Sequence, residues 1–145
     1  MSKSVYVRLA EVGDALSLYL LNSEFNGVEL SVTEIEKSLK NTNEIVAVAI
    51  INDEIVGFAC GQYFKSFCYR DLVGEITELY IKEKSRRLGL ATKLITSIEE
   101  ELNKRGVNNI KVLTGQNNEK AIKTYKKSKY ILQDDVVLQK KRNEE

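Results

Sequence analysis

The stretch that decides the fold runs Gly74-Glu75-Ile76-Thr77-Glu78-Leu79-Tyr80-Ile81, crosses Lys82 to Ser85, and continues Arg86-Arg87-Leu88-Gly89-Leu90-Ala91-Thr92. Val73 to Ile81 is rich in β-branched and aromatic residues and reads as a strand. After the break at Lys82–Arg87 comes a long helix, with Ala91, Leu94, Ile95, Ile98 and Leu102 three or four residues apart on one face. Lys104 and Arg105 suit its negative end, and Gly106 stops it. Where a strand runs into a helix start, unpaired backbone N–H groups and the positive end of the helix dipole collect. Gly89 and Ala91 keep the side chains small, so a pyrophosphate can lie against the backbone, and Arg86 and Arg87 add positive charge. Arg86-x-x-Gly89-x-Ala91 therefore reads as a phosphate-binding turn. Spacing alone equally fits an ordinary strand-to-helix turn with surface arginines.

Outward from that junction the chain divides into regular elements. On the N-terminal side, Ser4 to Ala10 alternates as a strand, and Asp14 can cap a helix whose apolar positions include Leu16, Leu20 and Leu21. Ser31 and Glu34 form a capping box before a second helix with Ile35 and Leu39 on one face. Ile45 to Ile51 and Ile55 to Phe64 are strands joined by a hairpin at Asn52-Asp53-Glu54, and Lys65 to Leu72 is a polar loop. On the C-terminal side, Asn109 to Thr114 is a strand and Asn118 to Lys127 a helix. Tyr130 to Gln133 and Val136 to Lys140 form a last hairpin around Asp134-Asp135. The expected order is β-α-α-β-β-β-α-β-α-β-β. This is an α/β (α+β) fold with a mixed sheet and packed helices, one domain over residues 1–145.

Composition narrows the chemistry. The 145 residues include no histidine, which removes Ser-His-Asp and Cys-His catalysis and histidine-based metal sites, and no metal is expected. Cys60 and Cys68 fit neither a redox pair nor a zinc knuckle, so a reduced, cytoplasmic protein is expected. The longest apolar run, Ile45 to Ile51, is far short of the roughly 20 residues of a membrane span, and the start MSKSVYVRLAEVGD has no apolar leader. Charge is unevenly spread. Met1 to Ile81 carries six basic and twelve acidic residues, and Lys82 to Glu145 carries sixteen basic and nine acidic. Leu9 to Glu36 holds six carboxylates, Glu24 and Glu29 among them, and no lysine or arginine. Halves of opposite sign suit an anion toward the C-terminal half and a cation toward the N-terminal half, although solvated helix faces give the same pattern.

Three motifs in order resemble the GNAT superfamily of N-acetyltransferases, densest from Gly74 to Tyr130. Glu75 to Ile81 resembles the family's central strand. Arg86-x-x-Gly89-x-Ala91 is similar to its acetyl-CoA signature, and Asn118-x-x-Ala121-x-x-x-Tyr125 followed by Tyr130 is similar to its later helical segment. Lys129 stands where the family usually has glycine, which puts the turn after that helix in question. The resemblance implies acetyl-CoA as co-substrate. Its phosphates would be received by Arg86, Arg87, Leu88, Gly89, Leu90, Ala91 and Thr92, its pantetheine arm by the backbone of Leu79, Tyr80 and Ile81, and nearby atoms by Asn118. It implies direct acyl transfer without a covalent enzyme intermediate. Tyr125 would be the acid that protonates the leaving sulfur, its alternative being a core tyrosine. For the base, Glu75 is favoured over Glu78, directly or through water; three residues apart on a strand, the two point to opposite faces unless a bulge intervenes.

The acidic segment points to a small cationic acceptor, a polyamine or aminoglycoside-like amine, drawn by Glu24 and Glu29. A protein N-terminus or lysine is the second reading. The loop Lys65 to Leu72 is expected to border the same cleft. Competing classes are a non-catalytic acyl-CoA-binding module, a nucleic-acid-binding domain using the lysine-rich last helix, and a partner-binding subunit. The near-neutral charge and acidic first half weigh against nucleic acid. No membrane partner is expected, and a homodimer is possible.

Overall fold

A computed structural model describes residues 4–41 and 43–142; residues 1–3, at the start of the stretch read as lacking a leader, lie outside it. Strands β1 (Val5–Leu9), β2 (Glu44–Ile51), β3 (Glu54–Phe64), β4 (Leu72–Ile81) and β5 (Val107–Val112) form one sheet in that order. The first three pairings are antiparallel and β4 runs parallel to β5. The β2–β3 connection is a two-residue turn. Ile51 pairs with Glu54, and Asn52 and Asp53 take φ of 48° and 68°, the left-handed geometry whose twist matches a hairpin.

Helices cover both faces. α1 (Ala15–Asn26) and α2 (Val32–Leu39) pack on one, where Leu18, Leu21 and Ile35 meet Val48, Ile50 and Phe58. α3 (Leu90–Lys104) and α4 (Glu119–Lys127) lie on the other. α3 buries Leu90, Leu94, Ile95, Ile98 and Leu102. At about 1.5–3 kcal/mol per aliphatic side chain this face contributes roughly 7–15 kcal/mol, an upper figure because unfolded chains already bury some surface. The fit is close. A Cβ at Gly61 would sit 2.6 Å from Ile98, so only glycine lets α3 approach β3 there.

The capping box at Ser31 is present, with Glu34 N–H donating to the Ser31 hydroxyl at 3.1 Å and Ser31 N–H to Glu34 at 3.2 Å. Asp14 behaves differently from expectation. It does not cap α1; its carboxylate accepts two hydrogen bonds from Arg8, at 2.7 and 3.0 Å, and one from Glu11 N–H at 2.7 Å. The Arg8 bond, despite burial, holds its carboxyl below the usual range. Of the expected apolar positions Leu21 is buried as read, but Leu16 and Leu20 face solvent, and Ala15 and Leu18 complete the buried stripe with Leu21.

The expected last hairpin is not formed. No strand follows α4 among the described residues, and residues 131–142 are exposed. Asp134-Asp135 lacks the glycine or asparagine that a two-residue turn favours, and an isolated hairpin is marginal without a third strand or a helix against it.

The turn after α4, in question at Lys129, takes the glycine geometry all the same. Lys129 adopts φ 74°. Lys129 N–H donates to Lys126 C=O at 3.0 Å and Tyr130 N–H to Tyr125 C=O at 3.1 Å, the double bond pattern of a Schellman cap. The Tyr125 and Tyr130 rings meet edge-to-face at 5.6 Å and complete the motif. A left-handed non-glycine residue costs about 1–2 kcal/mol. Lys129→Gly is therefore expected to stabilise the protein by about 1 kcal/mol, read as a rise of ~4 °C in Tm by calorimetry.

Candidate active site

The site begins with an irregularity in β4. Along β3 and β4, Gly61 pairs with Ile76 and Cys60 with Glu78, so Thr77 is an extra residue. Its hydroxyl donates to Cys60 C=O at 3.3 Å. Such a bulge restarts the alternation. Ile76 before it and Leu79 and Ile81 after it all pack toward α3. Glu75, Glu78 and Tyr80 consequently share the opposite face, with α1 and α2.

Pairing of β4 with β5 ends at Ile76 opposite Val112, so from Thr77 to Ile81 the β4 edge on that side has no strand beside it among the described residues. The backbone of Leu79, Tyr80 and Ile81 is left able to take an extended ligand as an added strand. Beyond the strand, Arg86 Nε donates to Ile81 C=O at 2.9 Å, and its guanidinium stands 5.9 Å from the Tyr80 ring centre. Arg87 takes φ 69° and Gly89 φ 76°. Gly89 is the N-cap of α3 and supplies no side-chain acceptor, so the first N–H groups of the helix, at Leu90, Ala91 and Thr92, have no side-chain cap. Leu88 is partly exposed on this turn, while Leu90 anchors it in the core. The turn thus presents free donors, a helix dipole and Arg87, the components of an anion site.

Tyr125 on α4 is buried in the core on the α3 side of the sheet. Burial first, and the negative charge of Glu78 second, push its phenol up to about 12, so it is a proton donor throughout the neutral range. No described group hydrogen-bonds its hydroxyl. Glu78 opens toward solvent, yet its carboxyl is raised by partial burial. Glu75 differs: Lys111 Nζ lies 3.6 Å from it, so its charge is partly neutralised on the sheet.

One residue went unread in the sequence. Glu44 on β2 shares the face of Glu78, and its carboxyl is raised by burial and by the Glu78 charge, against a hydrogen bond from Gln62. The signal was a carboxylate opening an otherwise apolar run. Between the two, Cys60 is half-buried, and its thiol is held above its ordinary range by desolvation first and then by both carboxylates, so it stays protonated at neutral pH.

Glu24 lies at the wall of this face against Tyr80, whose phenol is raised by burial and then by that carboxylate. Glu29 sits in the exposed α1–α2 connection and makes no hydrogen bond or ion pair with a described residue. Phe67, Cys68 and Tyr69 of the β3–β4 loop are exposed. Asn118 uses its side-chain oxygen as the N-cap of α4, accepting from Ala121 N–H at 3.2 Å, which leaves its NH2 and the oxygen's second lone pair for other partners.

The sequence profile described as Acetyltransferase (GNAT) family matches residues 15–130. This chain belongs to the GNAT acetyltransferase family. It is 31% identical over 108 residues to an acetyltransferase of Yersinia pseudotuberculosis, covering 74% of this chain and 72% of the relative. Among solved structures it is similar to the aminoglycoside N-acetyltransferase AAC(6')-Iy in complex with CoA, with TM-score 0.86, 15% identity, and 99% and 98% of the two chains covered. It is also similar to an aminoglycoside acetyltransferase from an uncultured soil metagenomic sample in complex with sisomicin, with TM-score 0.84, 18% identity and 97% of each chain covered. The GNAT family uses acetyl-CoA, and this chain is an acetyltransferase with the family's mixed five-stranded fold. No helix among the described residues is long and apolar enough to cross a membrane.

The cap at Asn118 separates a structural role from a ligand role in this GNAT protein. Asn118→Ala is expected to cost about 1 kcal/mol in urea unfolding, and Asn118→Asp, which keeps the acceptor, to recover most of it. If only the aspartate variant is stable and both bind CoA normally, the residue acts through the helix alone.

Proposed function

We propose that this acetyltransferase moves the acetyl group of acetyl-CoA to the primary amine of a small cationic acceptor. The observation that carries the reading is the line of Glu44 and Glu78 on one sheet face, with the Tyr125 hydroxyl within reach of the Glu78 charge. The residues fit the cofactor: uncapped N–H groups at Leu90, Ala91 and Thr92, with Arg87, suit its phosphates, and the unpaired β4 edge suits its extended arm. When bound, acetyl-CoA supplies the acetyl group as an activated thioester.

The protein's own groups then divide the proton work. An ammonium acceptor must lose a proton before its nitrogen can attack. Glu78, raised above an ordinary carboxylate by partial burial, is better matched to take it than an unperturbed acid, and it displaces Glu75 as the proposed base because Glu75 is paired with Lys111. Tyr125 holds its proton through neutral pH and gives it to the departing sulfur. Glu44, Glu78 and Glu24 together favour a cationic acceptor through the field they set up on that face. The aminoglycoside acetyltransferase neighbours support this acceptor class.

The direct test is thermal unfolding with acetyl-CoA. A ligand at 100 times its Kd adds about 2.7 kcal/mol, so the wild type should gain several degrees. Gly89→Glu, which sets a carboxylate on the phosphate turn, should gain none. Initial rates with diamines and aminoglycosides then test the chemistry. Tyr125→Phe and Glu78→Gln should each lower kcat on the order of 100-fold, and Glu44→Gln should raise KM for a dication more than for a neutral amine. The wild-type rate should fall as pH drops through the raised Glu78 value, because the base is then protonated. No loss from Tyr125 is expected until pH nears about 12. An acidic limb that persists in Glu78→Gln would assign the base elsewhere.

A further inference from the structure

Arg86 opens the phosphate turn, yet its guanidinium is engaged elsewhere. Nε donates to Ile81 C=O at 2.9 Å, which ties the side chain back to the end of β4, and the guanidinium stands 5.9 Å from the centre of the Tyr80 ring. Tyr80 packs with α1 and α2, whereas Leu90 at the start of α3 packs on the opposite face of the sheet. The cation is thus drawn toward the α1 face, away from the side that α3 covers. No carboxylate forms an ion pair with Arg86 among the described residues; a ring and a carbonyl hold it. A planar guanidinium that stacks on an aromatic ring and donates one fixed N–H bond is a directional contact, and it orients both partners.

Tyr80 is itself a junction. Its ring centre lies 5.1 Å from that of Phe25 on α1 and 6.1 Å from that of Phe58 on β3, and Phe25 meets Phe58 edge-to-face at 5.9 Å. Phe25 stands in the last turn of α1 beside Glu24, just before Gly27, at φ 72°, ends the helix with its N–H on Ser23 C=O at 2.9 Å. The three rings pin the end of α1 to β3 and β4, and Arg86 extends that stack to the phosphate turn. The Tyr80 phenol lies against the Glu24 carboxylate. Glu24 and Glu83, with Lys82 and Lys84, line one cavity of about 440 Å³. Contact therefore runs without a break from Arg86 through Tyr80 to Glu24 on the wall of the site.

We propose that Arg86 is a positioning residue for the acceptor side: through the Tyr80 ring it holds the end of α1, and with it Glu24, while the cofactor's phosphates are left to Arg87 and the first N–H groups of α3. That role rests on the cationic-acceptor reading above for its effect on rate, but not for its effect on α1. Field and positioning predict opposite signs. Removing a cation beside an acidic wall would by charge alone lower KM for a dication, whereas loosening Glu24 raises it. In calorimetry, Arg86→Ala is expected to bind acetyl-CoA as the wild type does, and Arg87→Ala to bind it roughly tenfold more weakly. In hydrogen exchange, Arg86→Ala should speed the amides of residues 24–27 and leave those of α3 unchanged. In initial rates with a diamine at saturating acetyl-CoA, Arg86→Ala should raise KM about 5-fold with kcat little changed. Arg86→Lys, which keeps a cation over the ring, should recover part of that loss. In a Glu24→Gln background Arg86→Ala should add nothing, because its effect runs through that carboxylate. Weakened acetyl-CoA binding by Arg86→Ala, unchanged exchange at the end of α1, a lowered diamine KM, or Arg86 and Glu24 effects that multiply would each overturn the proposal. A wild type that acetylates no cationic amine would refute the acceptor reading, and calorimetry and exchange would then decide the role of Arg86 by themselves.

Discussion

At Thr77 the central strand carries one residue more than the strand beside it, and the arrangement of the site depends on that insertion. Without it, a plain alternation would carry Glu78 to the α3 side whenever Glu75 faced α1 and α2, and Leu79 and Ile81 would leave the core. With it, both halves of β4 keep their apolar residues against α3 and both glutamates reach the other face. The Thr77 hydroxyl donates to the Cys60 carbonyl across the bulge. Just past the bulge the β4–β5 pairing stops, so the restart of alternation and the opening of a backbone edge occur within a few residues of each other. The free backbone edge and the face on which Glu78 stands are thereby set by one local defect.

The electrostatics follow from where that defect puts the charges. Three carboxylates share a face, but they are not equivalent. Glu75 meets Lys111, and Glu44 is partly satisfied by Gln62, which leaves Glu78 as the carboxyl whose shift comes from burial alone. Its charge in turn acts on Tyr125, raising the phenol further. In the proposed division of roles, the tyrosine is kept protonated through neutral pH, and the carboxyl is raised by its partial burial. Environments that separate two titrating groups are how one site carries both proton donor and proton acceptor.

The elements were legible where periodicity or punctuation was strong. The α3 stripe, the Ser31 box, the Asn52-Asp53 turn and the strand-to-helix turn at Gly89 all stand where their residues indicate. Two kinds of feature were not legible. The first depends on pairing across the sheet: the Thr77 bulge is visible only against β3, and the Lys111–Glu75 ion pair joins partners thirty-six residues apart in the chain. The second depends on what the body leaves uncovered. Val136 to Leu138 has the apolar run of a strand, but a strand exists only where an edge accepts it, and no described strand pairs with this run. Leu16 and Leu20 failed for a simpler reason: α1 is apolar on more than one side, so its sequence leaves open which stripe turns inward.

Two non-glycine residues in the left-handed region flank this site, Arg87 before α3 and Lys129 after α4. Each accepts a steric cost that glycine would remove. At Lys129 the hydrogen bonds of the cap are made regardless, and the cation stands with Lys126 and Lys127 at the negative end of α4, a favourable position that offsets part of the cost. At Arg87 the charge lies at the opposite kind of helix end, beside the positive N-terminus of α3, where a cation is unfavourable on its own. Strain and like-sign field therefore add at Arg87, whereas at Lys129 they oppose. Backbone strain that nothing in the isolated fold compensates gathers where a ligand supplies the compensation, and an anion on the Gly89 turn would relieve the field term while leaving the guanidinium to bind it.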